Sequence, residues 1–233
     1  DSRIVAIAPM VIPTLNMRAQ TKHQIEVWGK YSEQIDDYTR RGLVEITDTP
    51  DGERLWKMID PYTYRDRITI PKLIINSTND RYWTLDSLNV FWDDLTGPKN
   101  VVYLPNAGHN MNEHRQWAVN GVGALVRHVA SNQEMPKVWW KHTDGNDGSL
   151  VLSLNAEPAP KSVKLWSTHA ETRDFREAKW TSSLMDKDKN YVGSIPRPKD
   201  GHAALFGDLT FEFDGLEYHL STLIRESNPE PSK

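Results

Sequence analysis

Two side chains in this 233-residue sequence stand in loops that follow short apolar runs. Asp80 comes after Ile70-Pro71-Lys72-Leu73-Ile74-Ile75-Asn76, and His109 after Val101-Val102-Tyr103-Leu104 and the turn Pro105-Asn106-Ala107-Gly108. A buried carboxylate bonded to one imidazole nitrogen fixes the ring's tautomer and stabilises its protonated form, leaving the other nitrogen to take a proton from a nucleophile. Acid, helix, strand and Gly-His loop form the second half of the chain order nucleophile, acid, histidine used by hydrolases with an α/β sheet. Singly, each residue is ordinary: a loop aspartate is more often a turn former or helix cap. Their joint placement past consecutive strand ends, where open α/β sheets put their sites, favours a triad pair. Gly108 is expected to leave room for the sharp turn before the histidine.

The nucleophile half is missing. The sequence has no Gly-x-Ser-x-Gly, and no Ser between an apolar strand and a helix to form an elbow. Tyr82, Trp83, Asn110 and Met111 flank the pair and are the candidate substrate-binding residues, lining an apolar acyl or peptide side-chain pocket, although Trp and Met more often pack. The other histidines, His23, His114, His128, His142, His169, His202 and His219, read as surface or packing residues. Asp144-Gly145-Asn146-Asp147-Gly148 does not repeat calcium-loop spacing and reads as a hairpin turn. The absence of cysteine excludes a thiol nucleophile, a disulfide framework and sulfur-ligated metal sites. No metal and no cofactor are expected.

The elements that must position the pair fall into two sequence regimes. Up to about residue 134, short apolar runs alternate with helical spacing. Arg3 to Ile12 reads as a parallel strand buried on both faces, Ile70 to Asn76 as a second and Val101 to Leu104 as a third. Residues 16–66 carry one or two amphipathic helices and a shorter helical stretch around Leu55, Met58 and Ile59, a cap insertion between strands. Leu85 to Leu95 and Glu113 to about Ser131 have helical spacing. From Met135-Pro136 onward two-residue alternation takes over. Strands are expected at 137–142, 149–155, 162–168, 179–184, 205–213 and 218–224, with Asp214-Gly215 as a hairpin turn. The fold class is therefore α/β, the C-terminal part of an α/β-hydrolase over 1–134, followed by an all-β sandwich of immunoglobulin or fibronectin type over 135–233. Trp139, Trp140, Trp166 and Trp180 are expected to anchor the sandwich on the α/β part. The tail from Asn228 to Lys233 is expected to fray.

Composition narrows the classes further. With 38% hydrophobic residues, 9 Trp and a mean hydropathy of -0.64, the chain can bury cores but has no apolar run of about 18 residues to span a bilayer. A net charge of -4 offers no basic face for nucleic acid. The first residues lack the basic and apolar regions of a signal peptide, so the chain is either cytosolic or already processed.

Six motifs in order resemble the PhoPQ-activated pathogenicity-related protein family: Ile4 to Ile12 with Ala8-Pro9-Met10; Asp60-Pro61-Tyr62 to Pro71-Lys72-Leu73; Asn79-Asp80 with Trp83; Pro105-Asn106-Ala107-Gly108-His109; Arg173-Asp174-Phe175-Arg176 with Trp180; and Ala204-Leu205-Phe206-Gly207-Asp208-Leu209-Thr210-Phe211. The resemblance implies an α/β-hydrolase domain with a C-terminal β-sandwich, usually exported from bacterial cells, hence a periplasmic or extracellular location. It also puts Asp80 and His109 on the acid and histidine positions. Family members carry a serine elbow of the Gly-x-Ser-Lys-Arg-Gly type upstream of the Ala-Pro-Met strand. The functional expectation is a serine hydrolase acting on an ester, amide or peptide, with an N-terminal companion segment or chain supplying the serine and completing the sheet. The alternative is a non-catalytic binding protein whose sandwich docks a partner or glycan. A purely structural fragment is the third and weakest reading.

Overall fold

The computed structural model describes residues 2–227, so the expected fraying of 228–233 lies outside the described residues. The architecture is mixed α/β, with one large mixed sheet and a separate antiparallel sheet. Helices α1 (Met17–Trp28), α2 (Asp36–Thr39) and α3 (Pro50–Ile59) come first, joined by 3-10 turns. Strands β1 (Lys72–Ser77) and β2 (Lys99–Leu104) follow, then helix α4 (Arg115–Ala130). Strands β3 (Lys137–Asp144), β4 (Leu150–Glu157), β5 (Ser162–Ala170), β6 (Thr181–Leu184), β7 (Tyr191–Ile195), β8 (His202–Phe213), β9 (Leu216–Ser221) and β10 (Arg225–Ser227) complete the chain.

β1 and β2 pair in parallel from Lys72↔Lys99 to Ser77↔Leu104. Every residue of β1 is buried, the pattern of a strand covered on both faces. Helix α4 covers one face, and the Gly121 position lets it approach closely, since a Cβ there would stand 3.2 Å from Leu73 Cδ2. Residues 4–12 run alongside β1, but pair with it in strand fashion only at Ile7↔Lys72 and Met10↔Ile75. Backbone bonds from Ile7 N to Pro71 O and from Val11 N to Ile75 O hold the segment, while Val11 takes a φ of 47° that ends the extended run. The expected fully buried strand is thus a partly exposed edge segment: Ile4, Val5 and Ile12 are each about half exposed (52, 57 and 52%).

The helix expected over Leu85 to Leu95 is instead a 3-10 turn at Ser87–Val90 followed by further turns. Leu88, Phe91, Trp92 and Leu95 are nonetheless all buried. Spacing by three and four residues is shared by both kinds of winding, so periodicity alone did not separate them. Helix α3 follows its sequence signals: Thr49 caps it by accepting from Gly52 N at 3.2 Å, and Pro50 occupies the first turn. Gly52 is required there, because a Cβ would fall 1.8 Å from the Ile46 carbonyl oxygen.

The expected boundary at 134/135 does not separate the sheets. The mixed sheet runs β1-β2-β9-β8-β5-β6 with β10 against β8, and it crosses from the first half to the second where Val101 pairs with Ser221. Ser221 Oγ also accepts from Tyr103 N at 3.0 Å. β3, β4 and β7 form the separate antiparallel sheet, which packs on β8. Strand β8 is consequently buried on both faces from Ala203 to Phe211, and the two-residue alternation expected of 205–213 is muted. At Gly207 the two sheets come so close that a Cβ would lie 2.4 Å from Leu154 Cδ2. The Asp214-Gly215 turn joins β8 to β9 as expected, both residues having positive φ (50° and 69°). β7 and β10 had no clear alternation in sequence.

Of the four tryptophans expected as anchors, only Trp180 is buried (3% exposed), against Phe206 at 5.3 Å between ring centroids. Trp140 is half-buried and meets Trp92 across the two halves at 6.2 Å. Trp166 is half-buried and Trp139 is 52% exposed, so the latter anchors nothing. Trp180→Ala is therefore expected to cost about 3 to 5 kcal/mol, and Trp166→Ala clearly less. Equal shifts of the two variants in a urea titration would remove Trp180 from the core.

Candidate active site

The site grows from the ends of β1 and β2. Because the two strands are in register and parallel, their C-terminal loops leave the sheet side by side, and short polar residues continue the pairing beyond the last strand residues. Thr78 N donates to Leu104 O (3.0 Å), Asn79 N to Ala107 O (2.9 Å), and Asn106 N to Thr78 Oγ1 (2.9 Å). These bonds bring Asp80 and His109 together: His109 Nδ1 lies 2.9 Å from Asp80 Oδ2. The other carboxylate oxygen of Asp80 accepts from Tyr82 N at 2.9 Å, a local turn that fixes the carboxylate's orientation.

Burial of the two partners is unequal in the direction that proton transfer needs. The Asp80 side chain is 7% exposed and the His109 ring 46%. An ionised carboxylate can only accept, so a proton on Nδ1 is the tautomer that makes this contact, and it leaves Nε2 able to accept. Among the described residues the side-chain hydrogen bond of the ring is the one at Nδ1. The pair is an imidazole oriented by a buried carboxylate, with its second ring nitrogen turned away from that partner.

The flanking residues divide. Tyr82 packs its ring on that of His109, 4.2 Å between centroids and tilted by 32°. Trp83 is 5% exposed and packs in the small core formed with Met17, Ile35, Val44 and Trp56. Met111 is half-buried against the main core, and Asn110 is exposed. Gly108 is not forced by crowding: a Cβ there would meet nothing closer than 3.9 Å, and its φ is not positive. The turn's left-handed residues are Asn106 (φ 58°) and Met111 (φ 57°). No group of three or more metal-ligating side chains occurs among the described residues.

Sequence reading missed the polar face of α1. Gln20, Thr21 and Gln24 are buried, and Gln24 Nε2 donates to Tyr82 O at 2.9 Å while Gln20 Nε2 donates to Ser87 O at 2.9 Å. Ser32 Oγ donates to Arg81 O at 2.5 Å. The 16–66 region thus grips the backbone of the loop that carries the acid. The signal was available as glutamines one helical turn apart on a helix with few apolar residues.

A second ionic cluster ties the same region to the end of the chain. Asp86 accepts from His23 Nε2 at 2.7 Å and from Arg173 Nη2 at 3.0 Å, and Arg173 Nε reaches Glu226 Oε2 at 2.9 Å. The Asp86 carboxylate and its hydrogen bond raise the His23 pKa, against the effect of burial. Glu226 is buried beside the Asp86 carboxylate and its Oε1 has no partner among the described residues, so desolvation first and Asp86 second push its pKa up to about 7.

Comparison with known proteins agrees with the resemblance drawn from the motifs. The model of the PhoPQ-activated pathogenicity-related protein family matches residues 1–176. Autocrine proliferation repressor protein A from Dictyostelium discoideum is 35% identical over 185 residues, covering 76% of this chain and 37% of its own length. The chain thus spans little more than a third of that relative. No solved structure matches.

Glu226 generates a pH prediction. Its folded pKa of about 7 lies above the ordinary value of 4.5, so between these values the unfolded state is ionised while the folded state holds its proton. Over that window Glu226 makes stability fall as pH rises, and above about 7 the penalty is constant. Glu226→Gln keeps an acceptor for Arg173 and removes the titration. Its stability relative to the parent should therefore rise from pH 5 to pH 8 in denaturant titrations; a pH-independent difference would refute the assignment.

Proposed function

The chain belongs to the PhoPQ-activated pathogenicity-related protein family, and from the Asp80–His109 geometry we propose that it supplies the acid and base of a Ser-His-Asp hydrolase. The observation that carries this reading is the 2.9 Å contact from Nδ1 of a half-exposed His109 to a buried Asp80, at the ends of adjacent parallel strands. In this reading β1, β2 and α4 are the latter part of an α/β-hydrolase domain, and the strands after Met135 are an immunoglobulin-like sandwich that continues its sheet through β9. A companion N-terminal segment brings the serine.

Two surfaces support a companion. The outer edge of residues 4–12 has no neighbour among the described residues, and open apolar edges recruit strands. On one face of this sheet, Ile7, Pro9, Leu15 and Ile74 line an apolar cleft of about 390 Å³, the surface a crossover helix after a nucleophile strand would cover.

The chemistry follows from the pair. Nε2 takes the proton of the serine hydroxyl as its oxygen attacks an ester, amide or peptide carbonyl, and the imidazolium is stabilised by Asp80. Nε2 then returns the proton to the leaving group, and water repeats the sequence to release the acid and regenerate the serine. Tyr82, packed on the ring, limits its rotation.

The test is fluorophosphonate labelling of the protein together with its N-terminal segment. Label is expected on a serine of that segment, abolished by His109→Ala, with Asp80→Ala lowering hydrolysis by roughly 10³ to 10⁴-fold. Protein that contains both segments, is folded and takes no label would sink the hydrolase reading and leave the non-catalytic binding protein in its place.

A further inference from the structure

The Arg-Asp-Phe-Arg motif, with Trp180 a few residues on, lies nearly a hundred residues downstream of Asp80 in the β-rich half, and nothing in the hydrolase reading uses it. In the structure this segment, between β5 and β6, lies against both loops of the site. Asn79, the neighbour of Asp80, points its amide nitrogen into three of the segment's carbonyl oxygens: Ala178 O at 2.7 Å, Arg176 O at 3.2 Å and Phe175 O at 3.4 Å. The Asn79 amide oxygen is used as well, accepting from Thr78 Oγ1 at 2.7 Å. Asn106, three residues before His109, forms a reciprocal pair with the segment. Its Nδ2 donates to Trp180 O at 3.0 Å, and Trp180 N donates to its Oδ1 at 2.7 Å.

The segment is itself rigid. Phe175 and Trp180 are buried at 2 and 3% exposure and root it in the core. Arg176 forms a two-pronged pair with Asp174 (2.8 and 2.6 Å), and its guanidinium lies over the Trp28 ring at 4.3 Å while Nη1 reaches Glu33 at 3.1 Å. Arg173 joins Asp86 to Glu226. One stretch of chain is therefore fixed to the core, to the 16–66 region and to both site loops.

We infer that residues 173–180 are the positioning element of the Asp80–His109 pair, acting through Asn79 on the acid's loop and Asn106 on the base's loop. This rests on the reading of the pair as acid and base. The few bonds between the two loops tie them to each other and not to the rest of the core, and displacement of a proton-transfer group by about 1 Å costs on the order of 10²-fold in rate. Two amides bonded to backbone are well suited to the task. A primary amide donates and accepts at fixed directions, and each bond to backbone sets loop position without adding a charge beside the imidazole. Asn79 and Asn106 are positioning residues, since neither touches a reacting atom.

The experiment reads the pair directly. The Nδ1 proton held against a buried carboxylate exchanges slowly and resonates far downfield in proton NMR, and Asp80→Ala identifies it by abolishing it. In Asn79→Ala, and in Asn106→Asp, which keeps the acceptor for Trp180 N but loses the donor, this resonance should broaden or vanish. The far-UV circular dichroism should remain that of the parent. As a control, Gly148→Ala alters a hairpin turn that, among the described residues, makes no contact with either site loop or with residues 173–180, and should keep the resonance. Retention of its position and width in folded Asn79→Ala overturns the inference, and if that variant does not fold, retention in Asn106→Asp does so. The resonance needs no nucleophile, so absent serine labelling with a resonance that responds to these variants would end the hydrolase reading and leave the positioning role standing. With the serine present, the same variants should lower kcat with KM unchanged.

Discussion

The in-register parallel pairing of β1 with β2 is the constraint on which the rest depends. Parallel register fixes both strand ends at the same height, so the residues that follow must run on together. Thr78, Asn79 and Asn106 convert that coincidence into a bonded pair of loops, and Asp80 meets His109 because of it. A slip of one residue would turn Leu73 and Ile75 away from α4 and separate the acid from the base in the same step. Core packing and site geometry are thus two consequences of one register. The buried side chains that enforce it, Leu73, Ile75, Val102 and Leu104, belong to the same apolar cluster as Leu152 and Leu205 from the two sheets of the second half.

That shared cluster explains why the chain reads more modular than it is. The switch from helical spacing to two-residue alternation near Met135 is real, and strands do follow it. Alternation reports the local period, however, not the strand's neighbours. Nothing in Tyr218 to Ser221 announces that β9 will lie beside β2 and that Ser221 Oγ will accept a hydrogen bond from the Tyr103 amide. Partner choice is non-local, and single-strand patterning carries no record of it.

What was legible is the part that depends on chain-local chemistry. Asp80 and His109 each stand directly after an apolar run, so their placement could be read from one strand and one turn at a time. The Asp214-Gly215 turn and the Thr49-Pro50 helix start were likewise local. Gly108 was misread for a related reason: its residue type suggested a steric need, whereas free space is a property of the assembled fold. Asn79 and Asn106 flank the site in sequence, yet their partners are carbonyls near residue 178, and no spacing rule leads from one to the other.

The polar residues around the acid's loop also carry a cost that has to be offset. Gln20, Gln24, Ser32 and Asp86 are all withdrawn wholly or largely from water, and a buried polar group left unpaired destabilises by about 1 to 3 kcal/mol. Most of their bonds are made, to the backbone of residues 81 to 87 or to fixed charges. Apolar side chains in the same places would bury comparable surface but would tolerate sliding, because dispersion contacts have little directional preference. Directional bonds to backbone leave the loop one position. The molecule thus uses apolar packing where only proximity matters, between sheets and α4, and hydrogen bonds where a side chain must be held at a set distance from its partner. The change from one regime to the other occurs over the two or three residues past Ser77 and Leu104, and Asp80 lies just beyond it.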